Sequence, residues 1–273
     1  MGLFGSKENP EDIRYNAMSM MERNQPKVAV SLFNKILNLN ANDVGALFNK
    51  GLALNQMRKY SDAITCFDKL LAINPKDAHA LNNKGIAMAE NGNIQAASEC
   101  YDEAIVADPK FAASYFNKGV LLDKLQEHEL ALTILEKAIS VDSRKPNAMV
   151  YKGIVLGKMK RHEEALNCFE NVCKKYPNNE DAFFQKGVQL AELGKHEKAL
   201  QVFDEILKKY KDNVNVIYAK SRSNAALKKY PEALELLKQA ITRNPKIIRN
   251  WAKEEPIFTV LHNDDKFRAL VKL

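Results

Sequence analysis

Apolar residues return along this chain at helical spacing in short blocks, and the blocks return at one fixed interval. Leu47, Phe48, Leu52 and Leu54 make one such block, and Leu81, Ile86 and Met88 make the next. Each block holds a Lys-Gly pair, with Gly51, Gly85, Gly119, Gly153 and Gly187 spaced 34 residues apart and Ser221 in the sixth place. Twelve residues after each stands an alanine: Ala63, Ala97, Ala131, Ala165, Ala199 and Ala233. Ala29 lies one period before Ala63, so a more divergent unit precedes the others. A strict period of this length predicts stacked helical hairpins, each burying an apolar face only against its neighbours.

The spacing predicts seven hairpins, over 10–43, 44–77, 78–111, 112–145, 146–179, 180–213 and 214–247. Asn9-Pro10-Glu11-Asp12 reads as the start of the first helix: a capping Asn, a Pro in the first turn and two acids. The small residues have a packing reason, because Gly on one helix and Ala on the other let the two axes approach closely. After 247 the register continues only briefly. Trp251 falls one period after Ile217, which predicts an eighth first helix from about Ile248, cut short by Pro256. Ile257, Phe258, Val260 and Leu261, then Phe267, Leu270 and Val271, read as two short amphipathic helices. A repeat array needs such a piece to cover its last apolar face, so 248–273 is expected to be a cap. Residues 1–9 are expected to be a flexible N-terminus.

Counting each unit from its first residue, position 4 reads Leu47, Leu81, Tyr115, Met149, Phe183 and Ile217. Position 24 reads Phe67, Tyr101, Leu135, Phe169, Phe203 and Leu237, and position 32 carries Pro75, Pro109, Pro177 and Pro245. With the Gly and Ala series, this pattern resembles the tetratricopeptide repeat family over nearly all of the chain from residue 10. One departure is consistent: position 7, apolar in the family, is Lys50, Lys84, Lys118, Lys152, Lys186 and Lys220. The reading here is that these lysines lay their stems on the core and lift their amines to water. The resemblance implies an all-α right-handed superhelical solenoid whose first helices line a concave, peptide-binding groove.

In the family that groove is lined from positions 2, 5, 6, 9, 12 and 13, and positions 2, 5, 9 and 12 share one helix face. Here the row supplies Phe48, Phe116, Phe184 and Tyr218, with Leu52, Ile86, Val120, Ile154 and Val188 beside them. Position 6 supplies Asn49, Asn83, Asn117, Tyr151 and Gln185. A row of amides both donates to and accepts from a peptide backbone, giving grip without a side-chain code. Inherited uniformity among duplicated repeats, or packing between neighbouring helices, explains the same residues without a ligand. The family's carboxylate clamp for chaperone tails resembles a Lys at position 5 with an Asn at position 9. Phe48 with Leu52, Asn82 with Ile86, and Phe116 with Val120 do not match it.

Composition narrows the function further. His128, His162 and His196 stand 34 apart but share one slot with Tyr60 and Tyr230, and stacked equivalents cannot converge on one metal ion. Cys66, Cys100 and Cys168 share an apolar slot, too far apart for disulfides, and Cys173 has no evident partner. A reducing, cytoplasmic location follows as the expectation. No phosphate-binding loop, zinc motif or nucleophile motif is present, and neither enzyme nor cofactor is expected.

The net charge of +7 is uneven, with 19 basic against 12 acidic side chains in 146–247. Many of these lysines, such as Lys174, Lys175, Lys208 and Lys209, close helices, where they favour the negative dipole end. An acidic partner, or nucleic acid held by Arg222, Lys228 and Lys229, is the alternative. No apolar run is long enough for a membrane span. Met1-Gly2-Leu3-Phe4-Gly5-Ser6 fits a myristoylation pattern at Gly2, the one hint of a membrane. The expected function is a noncatalytic adaptor that binds a partner protein's peptide or helix. Self-association, as a homo-oligomer, and occupation of the groove by the chain's own C-terminal segment are the alternatives within that class.

Overall fold

The computed structural model describes residues 9–272 and divides at Ser143/Arg144 into two compact units. The first holds four hairpins: α1 (Pro10–Glu22) with α2 (Pro26–Leu39), α3 (Val44–Gln56) with α4 (Tyr60–Ile73), α5 (Ala78–Glu90) with α6 (Ile94–Ala107), and α7 (Ala112–Lys124) with α8 (His128–Val141). The second holds three more: α9 (Asn147–Lys158) with α10 (His162–Lys175), α11 (Glu180–Glu192) with α12 (His196–Lys209), and α13 (Val214–Ala226) with α14 (Tyr230–Arg243). It ends in α15 (Pro245–Glu254), a 3-10 helix (Pro256–Leu261) and α16 (Asp265–Val271). Among the described residues there is no strand. The Gly2 pattern lies outside the described residues, as does all of the 1–9 segment except Asn9.

Local chemistry fixes both ends of the hairpins. Asp43, Asp77, Asn179 and Asn213 each accept the backbone N–H three residues on and so cap α3, α5, α11 and α13. The turn between the two helices of each hairpin needs one residue in the left-handed region. Asn24, Arg58, Gln126, Lys160 and Lys228 occupy it at φ between 57° and 65°, with Gly92 and Gly194 in the other two turns. The next residue then donates its N–H to a carbonyl five back, as Lys59 does to Leu54 and Glu127 to Leu122, which closes the first helix in a Schellman turn.

The repeating small residues are explained by what lies over them. Ala29, Ala63, Ala97, Ala131, Ala165, Ala199 and Ala233 are wholly buried. A Cβ built on Gly51, Gly85 or Gly153 would stand 2.6, 2.6 or 2.7 Å from the ring of Phe67, Tyr101 or Phe169, each sixteen residues later. Gly119 lies under Leu135 in the same way, and Gly187 under Phe203. Ser221 takes the glycine's place opposite Leu237, and its buried hydroxyl donates to the Ala233 carbonyl at 2.7 Å.

The lysine row is used differently from the expectation. Lys84 Nζ lies 2.8 Å from Asp68 Oδ1 and Lys186 Nζ 3.6 Å from Glu170 Oε1, while Lys118 pairs with Asp102 and Lys220 with Asp204. Each lysine therefore ties a first helix to the second helix of the preceding hairpin rather than lifting its amine into water. Burial alone would lower the Lys84 pKa; the hydrogen bond and charge of Asp68 overturn that and raise it.

At the N-terminal end, Arg14 makes two bonds to Asp43, at 3.2 and 2.8 Å. That fork, ahead of the two backbone N–H bonds the carboxylate accepts, holds Asp43 below its ordinary value near 3.8, against a smaller opposing effect of burial. Asp43→Asn keeps an N-cap and removes the charge. It is expected to cost about 0.5–1 kcal/mol at pH 7. A depressed carboxyl stabilises fully above its unfolded value and loses that contribution as pH falls through the folded one. The gap between wild type and Asp43→Asn in urea unfolding should therefore close below about pH 4; a constant gap down to pH 2 would assign the loss to the cap.

The last segment corrects the expected register. α15 begins at Pro245, not near Ile248, because Asn244 both ends α14 and caps α15, leaving no loop between them. The early start rotates Trp251 out of the buried slot that Ile217 fills, and Trp251 is 45% exposed. Ile248 and Ala252 face the core instead, beside Phe258, Leu261, Phe267 and Val271, all buried.

Candidate functional site

The proposed peptide-facing residues stand on first helices, and their surroundings decide what each can offer. In the first unit Phe48, Asn49, Leu52, Asn83, Ile86, Phe116, Asn117 and Val120 are all half-buried. Phe48 meets the buried Phe67 edge-on, with ring centroids 6.1 Å apart, and Leu52 packs on the same core. These side chains hold the hairpins together with one side and leave the other open.

The asparagine row is partly engaged in the fold. Asn49 donates its side-chain N–H to the Gly45 carbonyl at 2.9 Å and Asn83 donates to that of His79 at 2.8 Å. Asn117 instead donates to Asn82 Oδ1 at 2.9 Å, crossing between adjacent hairpins. Asn82, buried at 4% exposure, occupies the place that Phe48 and Phe116 hold in their own hairpins, so the aromatic row is interrupted by a polar pair. The ladder thus presents mainly carbonyl oxygens, which suit N–H donors of a ligand.

In the second unit Tyr151, Ile154, Phe184, Gln185 and Val188 are likewise half-buried, and Phe184 lies against Phe203 with centroids 6.2 Å apart. Tyr218 is a correction. It is only 8% exposed, covered by Trp251 at 5.6 Å and Phe258 at 6.2 Å between centroids. Burial, then the charge of Glu255, pushes its phenol far above the ordinary range. The C-terminal segment thus occupies the last hairpin's share of this face.

Arg222 is also placed differently from the nucleic-acid expectation. Its Nε stands 2.6 Å from Glu255 Oε2 and its Nη2 3.3 Å from Glu192 Oε1, so two carboxylates already hold the guanidinium. Lys228 and Lys229 are exposed in the turn before α14. The register signalled that positions 222 and 192 belong to the candidate face. Glu255 lies past the last repeat, where no register could have pointed to it.

Two of the three histidines in the slot make structural contacts. His128 Nδ1 pairs with the buried Asp123 carboxylate at 3.0 Å, and His162 Nδ1 with Gln189 Oε1 at 2.9 Å. All four cysteines are free thiols. Burial raises the pKa of Cys66, Cys100 and Cys173, leaving them poor nucleophiles. Among the described residues no group of three or more His, Cys, Asp and Glu could hold a metal ion, and no helix is long and apolar enough to cross a membrane.

Known proteins resemble this arrangement closely in fold. Residues 16–118 match the family model for the N-terminal TPR repeats region of Psidin, and 112–145 and 152–214 each match a tetratricopeptide repeat model. A tetratricopeptide repeat protein from Parabacteroides merdae superposes with a TM-score of 0.68 at 16% identity, over 89% of this chain and 97% of that one. PilF of Pseudomonas aeruginosa gives 0.66 at 19% identity, over 78% and 97%. YrrB, described as a TPR protein with an unusual peptide-binding site, gives 0.55 at 24% identity, over 69% and 97%. No curated protein matches the sequence.

Proposed function

The chain carries multiple tetratricopeptide repeats, and from that premise we propose that it is a noncatalytic adaptor holding a peptide or helix of a partner protein on its first-helix face. One observation carries this reading. Phe48, Leu52, Ile86, Phe116 and Val120 remain half-exposed on consecutive first helices although a wholly buried ring or leucine was available to each hairpin from its second helix. Apolar surface kept open in this way marks an interaction face. The neighbouring amide carbonyls of Asn49 and Asn83 add acceptors for a bound backbone.

The test is a double variant, Phe116→Ala with Asn117→Ala. Affinity capture with quantitative mass spectrometry, from cells that express the protein, should lose the partner by tenfold or more, since truncating a central aromatic anchor costs about 2 kcal/mol or more. Circular dichroism should record unchanged helicity. Full retention of the partner would move the site off this face. The chain's own C-terminal segment competes in a limited way, because Trp251 and Phe258 cover Tyr218 while leaving Phe184 and Val188 half-exposed. Self-association is separated by light scattering across a concentration series, in which a constant mass is the expected result.

A further inference from the structure

The second unit contains a cavity of about 610 Å³ where α11, α13 and the segment after α15 meet. Its chemistry departs from that of the preceding hairpin at two adjacent positions. Val188-Gln189 of one hairpin becomes Arg222-Ser223 in the next, one period later. In the first case Gln189 reaches the preceding hairpin and satisfies His162 Nδ1 at 2.9 Å. In the second, the serine is too short to do so: His196 Nδ1 and Ser223 Oγ are both buried without a hydrogen-bond partner, and Ser223 is only 1% exposed. Both residues line the cavity, as does Arg222, whose Nε pairs with Glu255 by charge and makes no hydrogen bond, so a serine where the preceding hairpin has a glutamine leaves a polar space bordered by three buried atoms outside any hydrogen bond.

The charged lining has an excess of acid. Glu192 and Glu255 share the single guanidinium of Arg222. Glu192 uses only Oε1 for that pair, and its Oε2 makes no hydrogen bond among the described residues. Ile257 supplies an apolar wall beside these groups. An occupant must therefore be cationic, bring several N–H donors that point in different directions, and tolerate an apolar contact along its stem. A guanidinium is a planar fork suited to one carboxylate, whereas an ammonium carries three donors arranged about a point. Those three match a carboxylate oxygen, an imidazole nitrogen and a hydroxyl oxygen.

We infer that this cavity is a binding site for a primary ammonium group on an alkyl stem, supplied by a lysine side chain of the bound partner segment. The assignment to a partner segment rests on the adaptor reading above; the ammonium site itself does not. The residues that recognise it are Glu192, His196, Ser223 and Glu255, with Arg222 positioning the two carboxylates.

The test is a titration of the full chain, labelled with nitrogen-15, followed by NMR. Three probes are used: acetyl-Ala-Ala-Lys-Ala-Ala-amide, the same peptide with its lysine side chain acetylated, and 1,5-diaminopentane. The lysine peptide should shift the His196 ring nitrogens and the Ser223 amide, and acetylation should weaken it by about tenfold or more, as expected for losing hydrogen bonds to a charged group. Ser223→Gln copies the glutamine of the preceding hairpin. It should keep the melting temperature within a few degrees and abolish the response, by bonding His196 Nδ1 and filling the space. Equal binding of the acetylated peptide, or an undiminished response in Ser223→Gln, would overturn the inference. Binding of diaminopentane without the peptide would keep the ammonium site and remove its place in the adaptor reading. Full retention of partner capture in the Phe116 variant, with the lysine response intact, would overturn the adaptor reading alone.

Discussion

A chain ended at Asn244 is expected to lose the protected core of α13 and α14 and to associate through the face it uncovers. Removing α15, the 3-10 helix and α16 strips Ile248, Ala252, Phe258, Leu261, Phe267 and Val271 from a core they share with Ile217, Tyr218, Leu234, Leu237 and Ile241. In a stacked array each hairpin is stabilised by its neighbours, and α13 with α14 is followed by this segment in place of another hairpin. A graded version is Phe258→Ala. Phe258 is wholly buried between the rings of Tyr218 and Phe267, at 6.2 and 5.8 Å between centroids. Its truncation should cost about 3–5 kcal/mol. Hydrogen exchange is the measurement: amides of α13 to α16 should lose protection while those of α1 to α4 keep theirs. Unchanged protection in α13 would mean that the terminal segment is an ornament on a self-sufficient hairpin.

The second large effect is expected at the contact between glycine and ring. A Cβ on Gly85 would stand 2.6 Å from Tyr101 Cε1, and Tyr101 is 3% exposed, so neither the ring nor the helix has room to yield. Gly85→Ser should destabilise by about 1–3 kcal/mol through overpacking. The protein already contains a serine form of this contact, because Ser221 sits opposite Leu237 and bonds the Ala233 carbonyl. Adding Tyr101→Leu to Gly85→Ser should therefore cost less than the sum of the single changes, with a coupling of at least about 0.5 kcal/mol. Simple additivity in urea unfolding would show that the glycine is retained for a reason other than this ring.

How legible each feature was depended on whether it recurred. The lysine row was visible in the sequence, and so was its answer: Asp68, Asp102, Glu136, Glu170 and Asp204 also return every 34 residues, sixteen before each lysine from Lys84 on. Read as single residues the lysines belong to water. Read as two rows in register, they predict the ion pairs between hairpins that Lys84, Lys118, Lys186 and Lys220 make. The asparagine row was legible as a row but not in its bonds. Asn49 and Asn83 turn back to their own helices, whereas Asn117 reaches Asn82 only because that hairpin lacks an aromatic at the neighbouring position.

The sequence by itself determined the paired helices of the seven hairpins, which small residues lie under which rings or leucines, and how neighbouring hairpins within each unit meet. Those contacts join positions a fixed and short distance apart, repeated until chance is excluded. Only the tertiary structure decided what stays open. The terminal segment carries no second copy to set its register, so nothing in the sequence placed Trp251 on Tyr218 or Glu255 on Arg222. Those single contacts remove one predicted residue from the binding face. They also build, from Glu192, His196, Ser223 and Glu255, a charged cavity that no repeating pattern could announce.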